Sequence, residues 1–446
     1  MRILILGAGD VGFHLAQQLA REDHDVTIIE QDRARARSIQ EAMDGLVIEG
    51  NGASLTTLER AGIERMDLLL AVTSHDEVNL MACLSAAQYK VPKRIARVSK
   101  PDYYDHTGIL PPERLGVDLM INPERECALE TYQLLQSAAA TEFAQFEGGL
   151  VQLIGVRVKE GAPVAGKRLL EIGRMSDVHA LVVAIGRAGQ TIIPGGGTRI
   201  EAGDMAFIMG EASHMADVLT LAGYDRFNLR RVVIAGGSRE AWFLARLLEE
   251  HRIECTILEA DRARAVNLAE RLTRSLILHG DATDLELLEM EGIGDADGFV
   301  AYTGSDETNL LSCLLAKSLG SRKVISLIDR FDYVPLVSRV GVDAAVSPRV
   351  AAVNAILSHV RRGSVLAVAM LKGTRAEGIE FDVSARFPYA GRPLAQVRFP
   401  TGSLIGAIVR GDTVIIPRGE DAIRPGDRVV VFVLTEVARE VEALFA

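Results

Sequence analysis

Cysteine is scarce: four occur in 446 residues, Cys83, Cys127, Cys255 and Cys313, with no CxxC pair and no neighbouring histidine cluster. That argues against a disulfide-stapled secreted fold and against a structural zinc site, and a reducing, cytoplasmic setting is expected. Long apolar runs are also missing. "VVVFVL" at 429–434 is among the longest and falls far short of the ~20 residues that span a bilayer. The N-terminal "MRILILGAGD" lacks a small-residue cleavage site, so it is not expected to be a signal peptide. Any membrane contact is therefore expected to be peripheral. Positive charge is in deficit, with 49 Lys and Arg against 60 Asp and Glu, a net charge of −11 and no basic block. Nucleic acid is not an expected partner.

What is present is a long globular chain, 48% hydrophobic and 24% charged, enough for three or four domains at ~150 residues each. It is written twice. "VTIIEQDRARA" (26–36) returns as "CTILEADRARA" (255–265), and "AVTSHDEVNLMACL" (71–84) as "AYTGSDETNLLSCL" (301–314). "EGNGASLTTLERAGIERMD" (49–67) returns as "HGDATDLELLEMEGIGDAD" (279–297), and "IIPGGGTRIEAGD" (192–204) as "IIPRGEDAIRPGD" (415–427). Four blocks in one order mean duplication of a two-part unit. In the first part, short β-branched runs such as "RILIL" and "DVTIIE" alternate with amphipathic patterns such as "VGFHLAQQLARED". That alternation predicts βαβ units and a parallel, Rossmann-like α/β sheet. The second part, with "GLVQLIGVRVKEG", "ALVVAIGRAGQTIIP", "DMAFIMGE" and a short helix near "LLEIGRM", reads as a small α+β module. The expected division is 1–135, 136–226, 227–360 and 361–446.

"GAGDVG" (7–12) sits between a strand and a helix. Gly7 permits a tight turn, Gly9 admits close approach of a pyrophosphate, and Gly12 lets the helix pack on the strand. The helix N-terminus supplies free N–H groups and the positive dipole end. Glu30 ends the next strand, roughly twenty residues beyond Gly9, where a carboxylate accepts from the adenosine ribose hydroxyls. It would repel a 2′-phosphate, which disfavours NADP, whereas ADP and ATP stay compatible. Asn51 in "GNG" and Thr73 and Ser74 in "TSHDEVN" fall at the carboxyl edge of the sheet, where ligands bind. Ser74 and Asp76 are equally good candidates for helix caps. Arg97 either reaches a phosphate or pairs with an acid.

The second copy, "GGSREA" (236–241), keeps Gly236 but carries Ser238 where Gly9 stands and Ala241 where Gly12 stands. Glu259 keeps the ribose position, Leu327 replaces Arg97, and Arg239 offers an alternative charge next to Glu240. A weakened or altered second site is expected.

"ILGAGDVG", "VTIIEQD", "DLLLAVTSHDEVNLMA" and "RIARVSKPDY", followed by the small module and then by the whole set again, resemble the TrkA family. These are the cytoplasmic, nucleotide-binding RCK/KTN regulatory subunits of bacterial Trk potassium uptake systems. The resemblance covers essentially the entire chain, and the tandem order is its specific part. It implies a regulator without catalysis that binds NAD or NADH, or ATP or ADP. It also implies a peripheral position beneath a membrane-embedded Trk-type potassium channel or transporter, with a homotetramer closing a ring of eight RCK domains. Carried over by residue, the phosphate loop falls on Gly7, Ala8, Gly9, Asp10 and Val11, and the ribose acid on Glu30. Later contacts fall on Thr73, Ser74 and Arg97. The second loop falls on Gly236, Gly237, Ser238, Arg239 and Glu240, with its acid at Glu259.

Two other readings remain. A dehydrogenase needs an acid/base held at the nicotinamide. His75 lies near the nucleotide edge but becomes Ser305 in the repeat, and His14 sits on the first helix. Cys83 and Cys313 occupy equivalent places on an apolar helix face and read as packing residues. The other alternative is a nucleotide-responsive scaffold without a channel.

Overall fold

The computed structural model describes all residues except 23, 44, 105–110, 137–139, 147–149, 176–179, 212–213, 225–227, 331–332, 334–336, 338, 361–364, 372–373, 412 and 446. Arg2–Leu6 (β1), Asp25–Glu30 (β2), Leu46–Glu49 (β3), Leu68–Ala71 (β4), Lys93–Arg97 (β5) and Leu119–Ile121 (β6) form a sheet ordered β3-β2-β1-β4-β5-β6. Each neighbouring pair is parallel. β1 is buried from Ile3 to Leu6, as expected of a strand covered on both faces. The helix Asp10–Arg21 turns Val11, Leu15 and Leu19 inward, one side chain per turn. The order reverses beside β1, the place where doubly wound sheets open a crevice at their carboxyl edge.

Ala140–Phe146 (β7), Val151–Arg157 (β8), Ala180–Arg187 (β9), Gln190–Ile192 (β10) and Met205–Glu211 (β11) form an antiparallel sheet ordered β10-β9-β11-β8-β7. Arg231–Ala235 (β12), Glu254–Glu259 (β13), Leu276–His279 (β14), Gly298–Ala301 (β15), Lys323–Leu327 (β16) and Ala344–Val346 (β17) repeat the parallel sheet in the same order. Val365–Met370 (β18), Ala376–Asp382 (β19), Ser403–Arg410 (β20), Thr413–Ile415 (β21) and Arg428–Leu434 (β22) repeat the antiparallel one. The two antiparallel sheets share a core in which Phe207 and Met209 join Val430 and Phe432. Phe146 meets Phe432 edge-on, 6.4 Å between ring centroids.

The chain forms two compact units, 1–128 with 347–360, and 129–346 with 361–446. In the first, the helix Pro348–Val360, which follows the second parallel sheet, buries Ala352, Val353, Ile356, Leu357 and Val360 in the core of the first sheet. In the second, the tail of the helix Pro123–Leu135 lies on the second parallel sheet. Thr131 hydrogen-bonds the Tyr302 hydroxyl, and Lys323 Nζ donates to the Leu134 carbonyl at 2.5 Å. The trailing helices are thus exchanged between the repeats. Lys93 donates to the His359 carbonyl in the first unit, the counterpart of the Lys323 contact. Among the described residues no helix is long and apolar enough to cross a membrane.

Candidate functional site

Gly7 ends β1 with φ +88°, and a Cβ there would stand 2.9 Å from the Thr73 Cα, so the β1 turn and the end of β4 touch. A Cβ on Gly12 would meet the Gly7 carbonyl oxygen at 1.9 Å, which makes helix and strand inseparable at this turn. Gly9 is different. A Cβ there meets nothing within 4 Å, and Gly9 is the helix N-cap with no side chain to bond the helix amides. The first amides of the helix Asp10–Arg21 therefore face open space, the arrangement that receives a phosphate.

Glu30 is brought to this loop. It is 6% exposed, its Oε2 accepts from the Ala8 N–H at 2.7 Å and its Oε1 from the Asp32 N–H at 2.8 Å. The Arg35 guanidinium stands 4.0 Å away. A carboxylate has about four acceptor positions, so two backbone bonds leave room for ribose hydroxyls while fixing the loop.

Thr73 and Ser74 follow β4, and Arg97 ends β5. A residue the sequence reading passed over, Asn79, ties these ends together. Its Oδ1 accepts from the Thr73 N–H at 3.0 Å and the Thr73 hydroxyl at 2.7 Å, and its Nδ2 donates to the Thr73 and Arg97 carbonyls. Asp76 accepts from the Ser99 and Lys100 amides at 3.0 and 2.7 Å. Neither Ser74 nor Asp76 caps the helix Asp76–Gln88, whose N-cap is His75, without a side-chain cap bond. The Arg97 guanidinium, half-buried, has no ion pair or side-chain hydrogen bond among the described residues. Asn51 is exposed one strand further out, its Oδ1 accepting from the Ala53 N–H at 2.8 Å in an Asx turn. Arg349 arrives on the exchanged helix, its Nη1 2.5 Å from the Asp10 carboxylate. No local pattern links position 349 to position 10; the one sequence signal for Asn79 is its return as Asn309.

The second copy preserves the frame. Gly236 has φ +95°, and Glu259, 4% exposed, accepts from the Gly237 and Asp261 amides at 2.5 and 2.7 Å. Asn309 bonds Thr303 and the Leu327 carbonyl as Asn79 bonds Thr73 and Arg97. The difference is at the helix start. The Ser238 hydroxyl accepts from the Ala241 N–H at 3.4 Å, so a side chain occupies the place left open at Gly9. Arg239 is exposed and Glu240 half-buried in the first turn of that helix.

The groups a hydride-transfer enzyme would need are poorly placed. His14 and His75 are exposed, and His75 Nδ1 meets the Ser74 hydroxyl at 3.2 Å. Cys83 and Cys313 are fully buried; burial pushes the Cys83 thiol up to about 12 and raises that of Cys313 as well. Both are thiols at neutral pH and inert as nucleophiles.

The TrkA-N domain description matches residues 3–123 and 232–348, and the TrkA-C domain description matches 153–223 and 379–446. The chain is 39% identical over 453 aligned positions to the Trk system potassium uptake protein TrkA homolog 2 of Methanosarcina mazei, covering 100% of both chains. It is 38% identical over 451 positions to the Trk system potassium uptake protein TrkA of Halomonas elongata, covering 100% of this chain and 98% of that one. The solved structure of the GsuK channel bound to NAD shares the fold, with TM-score 0.60 at 19% identity over 100% of this chain and 78% of that chain.

Proposed function

The chain belongs to the TrkA family, and on that premise we propose that it is a nucleotide-sensing regulatory subunit of a potassium uptake system. The curated relatives are named for potassium uptake, and the GsuK channel of like fold is described as bound to NAD. The reading divides the chain into modules 1–135, 136–226, 227–360 and 361–446. It takes NAD(H), with ATP or ADP as competitor, at Gly7–Gly12, Glu30, Asn51, Thr73, Ser74 and Arg97, with Arg349 as a further cation beside the phosphates. The loop Gly236–Glu240 with Glu259 is a second, weaker site. The subunit attaches peripherally to the cytoplasmic face of a membrane-embedded Trk-type transporter, and four chains close a ring of eight nucleotide and accessory domain pairs.

One observation carries this proposal: Glu30 is clamped to the Ala8 amide beneath the uncapped helix start at Gly9, while Arg97, at the end of β5 on the same sheet edge, has no ion pair among the described residues. Sensing requires only that the nucleotide bind two conformations unequally. No reaction is implied. Calorimetric titration of the purified chain with NADH, NADP, ATP and ADP tests the site, and NADP is expected to bind least. NADH left with the protein and a panel of hydroxy and keto acids is expected to keep its absorbance. Steady oxidation with one such acid would restore a dehydrogenase. Light scattering should give a particle about four times the 48.2 kDa chain. Co-purification with a membrane transporter separates this reading from a free-standing scaffold.

A further inference from the structure

The two antiparallel modules share a fold but are filled differently. In the second, Phe381 stacks on Phe445 at 4.3 Å between centroids, Phe445 on Phe387 at 4.8 Å, and Phe387 meets Tyr389 edge-on at 5.9 Å. Matching β8 to β19 and the helix Met215–Leu221 to Ala438–Phe445 sets Val156 against Phe381 and Ala222 against Phe445. Through the shared "PxAG" turn, Ala162 stands against Phe387 and Val164 against Tyr389. Each of these four rings is replaced by one to three carbons in the first module.

The first module does not close over the loss. A cavity of about 150 Å³ lies there, with Val158, Val164, Ile200, Ala206, Val218 and Ala222 among its buried walls. Leu169, Ile172 and Gly173 of the helix Leu169–Met175 face the half-buried start of β9 across its opening. Among the described residues, Val, Leu, Ile, Ala and Gly line it. Those side chains offer no hydrogen bond, so an apolar occupant gives up least on entering. An enclosed cavity of this volume with apolar walls accepts benzene or xenon.

We propose that the first antiparallel module is a receptor for a small uncharged apolar molecule, a hydrocarbon or single-ring aromatic of roughly six to eight carbon atoms. It lies against Val164 and Ala222, the positions that Tyr389 and Phe445 hold in the second module. Ile208 lines the cavity while its neighbours Phe207 and Met209 point to the core shared with the second module, so an occupant contacts the strand that carries that core.

The test uses the full chain. Crystals pressurised with xenon should show the gas against Val164 and Ala222, and benzene should raise the unfolding temperature of the wild type. Ala222→Phe, which restores the ring of the second module, should weaken benzene binding about ten-fold or more while leaving NADH titration unchanged. Ala222→Leu serves the same purpose if the larger side chain prevents folding. Absence of xenon from this cavity, or benzene binding indifferent to both substitutions, overturns the proposal.

Discussion

Gly9 and Ser238 occupy one position in two copies of one loop, and the difference between them is a single hydroxymethyl group. At Gly9 the place of a side chain is open, whereas at Ser238 the hydroxyl bonds the Ala241 amide. Gly9→Val should therefore fold normally and lose NADH binding, as calorimetry and urea unfolding together would show. Equal loss of stability would mean the residue serves packing instead. Arg97→Leu copies the second site and should weaken binding by about 1.5–3 kcal/mol, the scale of a hydrogen bond to a charged group. An unchanged affinity would remove Arg97 from the site. Glu30 holds two amides in addition to the ribose contact proposed for it, so Glu30→Ala leaves those donors unpaired. Its stability should fall by about 1–3 kcal/mol in urea titration, in addition to its loss of NADH and its gain of NADP.

The exchanged helices are the elements that join the repeats, and a lysine of the receiving sheet, Lys93 or Lys323, bonds a carbonyl in the last turn of each. Lys323 is fully buried under the carbonyl of Leu134, and burial pushes its ammonium down from 10.5 to about 7, against the pull of Asp343 and with the repulsion of Lys317. Between those two values the unfolded chain holds a proton that the folded chain does not. Stability therefore rises with pH across that window and is lowest below it. The advantage of the wild type over Lys323→Met should grow between about pH 6.5 and about pH 9.5 in urea titrations. A constant difference would mean that Lys323 stays charged.

At the scale of the whole molecule the two nucleotide loops differ while their frames agree. Glu30 and Glu259 each hold two backbone amides, so alanine at either costs a similar local anchoring. What distinguishes them is the open helix start and Arg97 in the first copy only. A nucleotide shifts a two-state ring only by its unequal affinity for the states. Glu30→Ala should therefore strongly reduce nucleotide-dependent potassium flux in reconstituted membranes, and Glu259→Ala should reduce it less. Light scattering must show both variants assembled. The reverse ranking would place sensing in the second half of the chain.

The duplication, the βαβ alternation, the glycine loop and the acid that ends the next strand were legible in the sequence, because each depends on a local pattern. Periodicity marks a buried strand or an amphipathic helix, and glycine marks a turn, whatever lies across the core. Asn79 was overlooked because a polar residue on a buried helix face means little until the strand ends it bonds are in place. β7, β18 and the helix Met215–Leu221 carry weak patterns of their own and are ordered by pairing and packing with the neighbouring strands. Which sheet receives the helix Pro348–Val360, and hence that Arg349 reaches Asp10, is a choice between two similar apolar surfaces. Local sequence does not state that choice, since both helices suit both sheets; only the closed chain selects one. The cavity behind Val164 and Ala222 is likewise a property of packing. Small residues predict a void only when the backbone around them has been held open by the rest of the fold.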